Sequence, residues 1–306
     1  MAIDSYGAEQ GAGRWDLGEV VRQLRVSREA THNIRHQRRV RELPSRAALE
    51  QILNGLSAAL FPTHYGRPNL TDESIDYFVG DTLNTTLDRL AEQVRRGRLF
   101  TADPAQCNEE YEGQCAVDIT RQFAAGLPAI RALIVSDVQA AYAGDPAATS
   151  IAEIMLCYPG TIAILYYRLA HALHTLGSPF IARMISDIAH SSTGIDIHPA
   201  ARIGASFFID HGTGVVIGET AIIGERVRLY QHVTLGAKRF PADASGNLIK
   251  GTPRHPIVED DVVIYAGATV LGRITIGAGS TIGGNVWLTQ SVPANSNVSQ
   301  AQSRSD

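Results

Sequence analysis

The sequence predicts an α + β-solenoid, in which an N-terminal all-α domain is followed by a left-handed parallel β-helix of hexapeptide repeats. Up to about residue 190, apolar side chains recur with the 3.6-residue period of amphipathic helices. Beyond it, aliphatic residues recur every six positions, first at Ile197, Ile203, Ile209, Val215, Ala221, Val227 and Val233, and then at Val258, Ile264, Val270, Ile276, Ile282 and Leu288. A period of six fits neither a helix nor a two-sided strand, and it indicates short strands stacked in triangular coils.

These spacings divide the chain into three parts. Residues 1–190 are predicted to be helical, with residues 1–13 lacking fixed structure because they show no periodicity. Residues 191–293 are predicted to form the β-helix, with an inserted loop at 236–257 where the hexad pattern stops. Residues 294–306 are rich in Ser, Asn and Gln and are predicted to be a flexible tail.

Local signals place the helices of the first part. Ser45 is the expected N-cap of one helix, and Gly97 is expected just past the end of the next. Pro128 suits the first turn of a further helix. Pro159 and Pro179 each open another, and the second of these is the last helix before the period changes.

Composition narrows the class of protein. The chain has 306 residues, 44% of them hydrophobic and 19% charged, which is ordinary for a globular protein of two domains. A net charge of −4 argues against a dedicated nucleic-acid binder. Three cysteines without CxxC spacing, and no signal-peptide pattern, favour reduced thiols in the cytoplasm. Glu153, Pro159 and Arg168 interrupt the most apolar segment, so no membrane span is expected.

A histidine stands where the hexad register slips by two residues. His211 is expected to point outward from this corner of the coil, where an imidazole is a suitable general base for an alcohol at neutral pH. Such a base needs a group that fixes its tautomer. Asp196 precedes it by about one coil and is expected directly below it, and Asp210 is a second carboxylate nearby. The alternative is a corner histidine with a purely structural role.

The inserted loop ends in a cation and an imidazole, Arg254 and His255. A loop this long in a tight solenoid is usually functional, and this pair is suited to bind a substrate carboxylate in a neighbouring subunit's groove. A salt bridge from Arg254 to Glu259 or Asp260 is the alternative. No zinc-ligand, P-loop or dinucleotide-binding spacing is present, so no metal site is predicted.

Small residues at further corners form a third candidate group. Gly236, Ala237, Ala266 and Gly284 would leave open backbone on which an extended ligand can lie. The alternative is that tight turns simply require small residues.

Several motifs together resemble those of the serine O-acetyltransferases. The motifs are Asp196-Ile197-His198-Pro199, Ile209-Asp210-His211-Gly212-Thr213-Gly214 with the following Glu219-Thr220, Arg254-His255-Pro256, and Asp145-Pro146-Ala147 upstream. The likeness spans roughly Val138 to Val292. It implies transfer of acetyl from acetyl-CoA to the hydroxyl of L-serine, which gives O-acetylserine for cysteine biosynthesis, and it implies no metal.

The resemblance also implies roles for individual residues. His211 would be the base that removes the serine hydroxyl proton, and Asp196 would orient it. Five residues would bind the substrate: Asp145, Asp210, Arg254, His255 and Glu219. The two aspartates would hold the ammonium, whereas the Arg-His pair would hold the carboxylate across the subunit seam. The positions that would line the CoA groove are Gly236, Ala237, Ala266 and Gly284.

The resemblance further implies a homotrimer, or a dimer of trimers, that is inhibited by cysteine. Ala237 and Tyr265 depart from the glycines that are common in the family at these positions. The chain ends in Ser305-Asp306 and not in the isoleucine that docks into O-acetylserine sulfhydrylase, so that complex is not expected. The alternative functions are a CoA-dependent acyltransferase for another amino-acid or small hydroxyl acceptor, and a catalytically silent hexapeptide scaffold.

Overall fold

A computed structural model describes residue 15 and residues 17–30, 42–103, 108–240 and 242–300, which leaves the predicted loose segment 1–13 outside the described residues. The helices in these ranges are α1 (Leu17–Ala30), α2 (Arg46–Leu60), α3 (Pro62–Tyr65), α4 (Ile75–Thr101), α5 (Glu109–Gly144), α6 (Ile151–Cys157), α7 (Pro159–Thr175) and α8 (Pro179–Thr193). The strands are β1 (Asp196–Ile197), β2 (Arg202–Ile203), β3 (Phe208–Ile209), β4 (Val216–Ile217), β5 (Ile222–Ile223), β6 (Arg228–Leu229), β7 (Thr234–Gly236), β8 (Ile257–Val258), β9 (Val263–Ile264), β10 (Thr269–Leu271), β11 (Thr275–Ile276), β12 (Thr281–Ile282), β13 (Trp287–Leu288) and β14 (Asn297–Val298). The predicted order, helices first and β-helix second, is confirmed.

Sequence signals account for the start of the helical bundle. Ser45 Oγ accepts a hydrogen bond from the backbone N–H of Ala48 at 3.3 Å, as an N-cap does. Leu49, Ile52 and Leu53 follow on one face of α2 and are fully buried. Helix α2 packs against α4, α4 against α5, and α5 against α7, so one core runs through the bundle.

Two helix boundaries differ from the prediction, and burial explains both. Helix α4 continues past Gly97, where a Cβ would lie 3.0 Å from Ile181 of α8, so the glycine permits a close helix approach. Pro128 does not open a helix but lies inside α5. Leu127 and Ile130 beside it are buried, and their packing keeps the helix continuous despite the hydrogen bond that proline cannot donate.

Helix α5 is also the one described helix that is long and apolar enough, by length and composition, to cross a membrane. Its side chains Phe123, Leu127 and Ile134 belong to the core of the bundle. The central helix of a packed helical domain meets the same two criteria, and α5 occupies that position between α4 and α7.

Three parallel sheets form the faces of the β-helix. The first sheet contains β1, β4, β7, β10 and β13, the second β2, β5, β8 and β11, and the third β3, β6, β9, β12 and β14. Stacked aliphatic side chains, such as Ile197, Ile217, Leu235 and Val270 of the first sheet, fill the axis and are buried. The six-residue period is therefore the step from one face to the next.

Strand register locates the interruption that carries His211. Asp196 of β1 pairs with Val216 of β4, which makes a coil of twenty residues, whereas Val216 pairs with Thr234 of β7, which makes a coil of eighteen. The two extra residues lie between β3 and β4, in the corner that contains His211. The predicted register slip is thus a local widening of one corner.

The flexible tail was predicted to begin at residue 294, but the β-helix continues beyond that residue. Asn297 and Val298 form β14, which pairs in parallel with β12, and Val298 packs against the core of the β-helix. The backbone of β12 offers hydrogen bonds that any residue can complete, so a polar composition does not prevent a last strand. Residues 301–306 of the predicted tail lie outside the described residues.

A buried ion pair joins the helical bundle to the β-helix. Arg168 of α7 donates to both carboxylate oxygens of Asp137 on α5 at 3.0 Å, and the two side chains are only 4% and 3% exposed. Arg168 also donates to the backbone carbonyls of Ile203 and Gly204 at 2.6 Å. Asp137 accepts the backbone N–H of Phe207 at 2.8 Å. These additional hydrogen bonds compensate the buried charges and fix the bundle against the β-helix.

Candidate active site

The candidate residues lie on two edges of the β-helix. The histidine edge is the line of corners where the chain passes from the third sheet to the first, at 210–215, 230–233, 265–268 and 283–286. The arginine edge is the line where the chain passes from the first sheet to the second, at 198–201, 218–221, 237–256 and 272–274. Because strands of the first sheet run from one edge to the other, the width of that sheet separates the two edges.

His211 stands on the histidine edge in the widened corner. Its backbone has φ +58°, in the left-handed region that histidine adopts more readily than most residues. The side chain is 70% exposed, so the imidazole points away from the coil. Asp210 is only 12% exposed and holds its Oδ1 3.7 Å from His211 Nδ1, which is an ion-pair distance and not a hydrogen bond.

Asp196 does not lie directly below His211, contrary to the prediction from spacing. The residue stacked on Asp196 is Val216, because the two extra residues of the corner lengthen this coil. Asp196 nevertheless adjoins the same corner, since a Cβ at Gly212 would lie 2.4 Å from Ile195 Cδ1. Within the described residues, the Asp196 carboxylate makes no hydrogen bond or ion pair.

The helical bundle contributes Asp145 to the histidine edge. Tyr158 Oη donates to Asp145 Oδ2 at 2.5 Å, and the backbone N–H of Ala147 donates to Oδ1 at 2.8 Å. The hydrogen bond from Tyr158, followed by that from Ala147, lowers the pKa of Asp145, and the charge of His211 lowers it further. Asp145 is therefore an ionised carboxylate at neutral pH, close enough to His211 to interact with it.

Arg254 is held on the arginine edge by Glu219. Its Nη2 donates to Glu219 Oε2 at 2.5 Å, and both side chains are partly buried. This hydrogen bond lowers the pKa of Glu219. The alternative salt bridges to Glu259 and Asp260 are absent from the described contacts, since both carboxylates accept backbone N–H groups instead. Glu219 therefore orients Arg254.

His255 is a neutral imidazole with a defined tautomer. Burial, with the charge of Arg254, lowers its pKa to about 4. Thr220 Oγ1 accepts the backbone N–H groups of Arg254 and His255 at 2.9 and 3.1 Å, so its own proton can be donated to His255 Nδ1 at 2.9 Å. The Thr220 N–H donates to the same nitrogen at 3.1 Å. With Nδ1 accepting, Nε2 carries the proton and is a hydrogen-bond donor.

The four small residues divide between the edges. Gly236 and Ala237 stand at the start of the insert on the arginine edge, which continues into a hairpin closed by an antiparallel bridge between Ala242 and Leu248. Ala266 and Gly284 stand on the histidine edge, where a Cβ at Gly284 would lie 3.2 Å from the Ala266 carbonyl oxygen. Each edge therefore carries one half of the predicted CoA groove.

Within one chain the two edges do not form one site. The structure brings Asp145, Asp210 and His211 together, and it separately brings Glu219, Arg254 and His255 together. Among the described contacts, no hydrogen bond or ion pair links the two groups.

Sequence reasoning also missed two residues of the site. Tyr158 was not predicted, because no motif or spacing marks it in the sequence. Thr220 lay inside a quoted motif, but its contacts with residues more than thirty positions away were not visible from spacing.

Comparisons with known proteins identify the family. A model of bacterial transferase hexapeptide repeats (six repeats) matches residues 255–290. The plasmid serine acetyltransferase of Synechococcus elongatus is 60% identical over 267 residues, which cover 86% of this chain and 84% of the relative. Entamoeba histolytica serine acetyltransferase 1, solved in complex with L-cysteine, is 36% identical with a TM-score of 0.70, over 92% of this chain and 97% of that one. Neisseria gonorrhoeae serine acetyltransferase, solved with serine, is 26% identical with a TM-score of 0.53, over 81% and 94%. The chain belongs to the serine acetyltransferase family.

Proposed function

We propose that this protein transfers acetyl from acetyl-CoA to the side-chain hydroxyl of L-serine and so supplies O-acetyl-L-serine for cysteine biosynthesis. Family membership supports the reaction, and one observation supports its location. The exposed imidazole of His211 stands on a corner beside the carboxylates of Asp145 and Asp210. A base next to fixed negative charge suits an acceptor that carries both a hydroxyl and an ammonium group.

The two edges match the two charges of serine. On the histidine edge, Asp145 and Asp210 would receive the ammonium, and the lowered pKa of Asp145 favours this role because the carboxylate stays ionised. On the arginine edge, Arg254 and the Nε2–H of His255 would receive the carboxylate. Glu219 would act in the substrate site by orienting Arg254.

We propose that the complete site forms at a seam between subunits of a homotrimer, or of a dimer of trimers. The two edges lie at opposite ends of the first sheet, so a molecule as small as serine cannot contact both edges of one chain. A threefold arrangement would set the histidine edge of one subunit against the arginine edge of the next. Each trimer would then contain three identical sites.

The transfer step would need no covalent enzyme intermediate. His211 would take the proton of the serine hydroxyl while the serine oxygen attacks the thioester carbonyl carbon. The tetrahedral intermediate would collapse as the C–S bond breaks, and the proton held by His211 would pass to the departing thiolate to give CoA. Asp196 and Asp210 adjoin this corner, where a carboxylate would stabilise the transient imidazolium.

Acetyl-CoA would lie along the same seam. Gly236 and Ala237 of one subunit would face Ala266 and Gly284 of the next, which leaves backbone open on both walls. The hairpin that follows Ala237 carries three cations, at Lys238, Arg239 and Lys250, although the protein as a whole has a net charge of −4. These cations would attract the phosphates of CoA at the mouth of the groove.

We also propose that L-cysteine inhibits the enzyme by occupying the serine site. Cysteine carries the same ammonium and carboxylate groups and differs only by sulfur in place of the hydroxyl oxygen. The Entamoeba histolytica relative was solved in complex with L-cysteine, which supports the proposal. A role in primary amino-acid synthesis would place the enzyme in the cytoplasm. Competition between cysteine and serine in steady-state kinetics tests the shared site.

Thiol release from acetyl-CoA tests the reaction directly. The protein should release CoA at a rate that depends on L-serine, with much lower rates for homoserine, threonine and a sugar. His211→Ala should lose at least about 100-fold in kcat, the range expected for a general base. Serine-independent activity, or near wild-type turnover in His211→Ala, would refute the proposed reaction or the proposed base.

A further inference from the structure

Tyr158 is fixed at the junction between the helical bundle and the histidine edge. It lies between α6 and α7 and is followed by Pro159 in the first turn of α7. In the next position, a Cβ at Gly160 would lie 2.2 Å from the carbonyl oxygen of Ile209, so the start of α7 rests directly on the end of β3. Asp210 and His211 follow Ile209, and the backbone of Tyr158 is therefore tied to the corner that carries them.

The hydroxyl of Tyr158 serves as a donor to a carboxylate. It donates to Asp145 Oδ2 at 2.5 Å, in the range of a charge-assisted hydrogen bond. The hydrogen bond to Asp145, followed by desolvation and the negative charges of Asp145, Glu153 and Asp210, raises the pKa of Tyr158 to about 12, so the hydroxyl keeps its proton at neutral pH. Because its proton is donated to Asp145, the phenol of Tyr158 acts through this carboxylate.

Arg228 supports the same loop from below. A Cβ at Gly144 would lie 2.1 Å from Arg228 Nη2, so the guanidinium lies under the last residue of α5. The guanidinium is held over the rings of Phe208 and Tyr230, at 5.0 and 5.6 Å from their centroids. Asp145, the next residue after Gly144, is thus held between the end of α5 and the hydroxyl of Tyr158.

We propose that Tyr158 is a positioning residue for the ammonium group of the substrate, which it directs through Asp145. The inference rests on the proposed function and deepens it. Each oxygen of Asp145 accepts one hydrogen bond within the chain, from Tyr158 or from Ala147, and each has a second lone pair to offer. The tyrosine thereby fixes the rotation of the carboxylate and the direction in which its remaining lone pairs point. Without it, Asp145 keeps one anchor and can turn away from His211.

Tyr158→Phe removes the donor and keeps the ring. We expect kcat/KM for L-serine to fall about tenfold, equivalent to about 1.4 kcal/mol, with KM for acetyl-CoA unchanged. Tyr77→Phe is the matched control, since Tyr77 is 82% exposed on α4 and makes no part of the site.

A substrate analogue without the ammonium separates positioning from a general structural role. 3-Hydroxypropanoate is serine without its amino group, and its inhibition constant should be the same for the wild-type protein and Tyr158→Phe. The inference would be overturned if Tyr158→Phe weakened the binding of serine and of 3-hydroxypropanoate equally, or if it left kcat/KM for serine unchanged. If the wild-type protein released no thiol with serine, the proposed function would fail. Calorimetric binding of L-serine and of 3-hydroxypropanoate to the two proteins would still decide the role of Tyr158.

Discussion

Thr220→Val tests how the arginine edge is built. Valine matches the shape of threonine but removes the hydroxyl, which accepts the backbone N–H groups of Arg254 and His255 and reaches His255 Nδ1 at 2.9 Å. Three hydrogen bonds are lost at once. At about 1 kcal/mol each, the free energy of unfolding should fall by about 2–4 kcal/mol. That is a substantial fraction of the stability of a typical protein.

The same substitution should weaken the binding of serine more than the binding of acetyl-CoA. Without the hydroxyl, the end of the insert is no longer tied to the coil, and Nδ1 of His255 keeps only the Thr220 N–H as donor. We expect KM for L-serine to rise about tenfold, which corresponds to about 1.4 kcal/mol of binding, with kcat within about twofold. Urea unfolding and steady-state kinetics measure the two effects.

Thr220→Ser is the matched control because it keeps the hydroxyl and loses only a methyl group. It should stay within about 1 kcal/mol of the wild type in stability and should keep the wild-type KM for serine. If Thr220→Val behaved like Thr220→Ser in both measurements, the contacts of the hydroxyl would not position Arg254 and His255, and the reasoning would be wrong.

Three further predictions follow from the structure. Arg168→Met should cost about 3–5 kcal/mol in urea unfolding because it leaves Asp137 charged and buried, and Asp137→Asn in the same chain should recover part of that loss. Replacing Lys238, Arg239 and Lys250 with alanine should raise KM for acetyl-CoA but not KM for serine. The increase in KM should be smaller when the acetyl thioester of dephospho-CoA replaces acetyl-CoA, or when the assay contains high salt. The free energy of unfolding should fall as pH drops from about 6.5 to about 4, because the unfolded chain binds protons at His255 and His198 in this range and the folded chain does not. His255→Asn should remove the share of that slope that His255 contributes, which unfolding at several pH values would measure.

The β-helix could be predicted from the sequence in detail because its period is local. Each aliphatic residue of a hexad faces the axis, so the buried set that includes Val258, Ile264 and Val270 follows from spacing alone. The slip near His211 was visible for the same reason. The exact stacking was not predicted. His211 follows Asp196 by fifteen residues, which is short of an ordinary eighteen-residue coil, and the widened corner adds two more residues, so Val216 and not His211 stacks on Asp196.

Contacts between distant segments could not be predicted from spacing. Gly97 looked like the end of a helix, but its small size serves the approach of Ile181 from another helix. Tyr158 reaches Asp145 only because α7 is seated on the end of β3, and Thr220 meets Arg254 only because the insert returns to the coil it left. Such contacts depend on how the domains pack, which leaves no periodic signal in the sequence.

The central claim is that one serine site takes its base from one subunit and its carboxylate-binding residues from the next. Mixed oligomers of His211→Ala and Arg254→Ala chains test it, with activity measured at low serine after the two proteins are unfolded and refolded together. A different tag on each of the two variant chains allows oligomers that contain both chains to be identified. Each variant alone should be nearly inactive. In a random equal mixture about one seam in four pairs an intact histidine edge with an intact arginine edge, so about a quarter of the wild-type activity should return. If mixed oligomers form and no activity returns, the complete site lies within a single chain and the account is wrong.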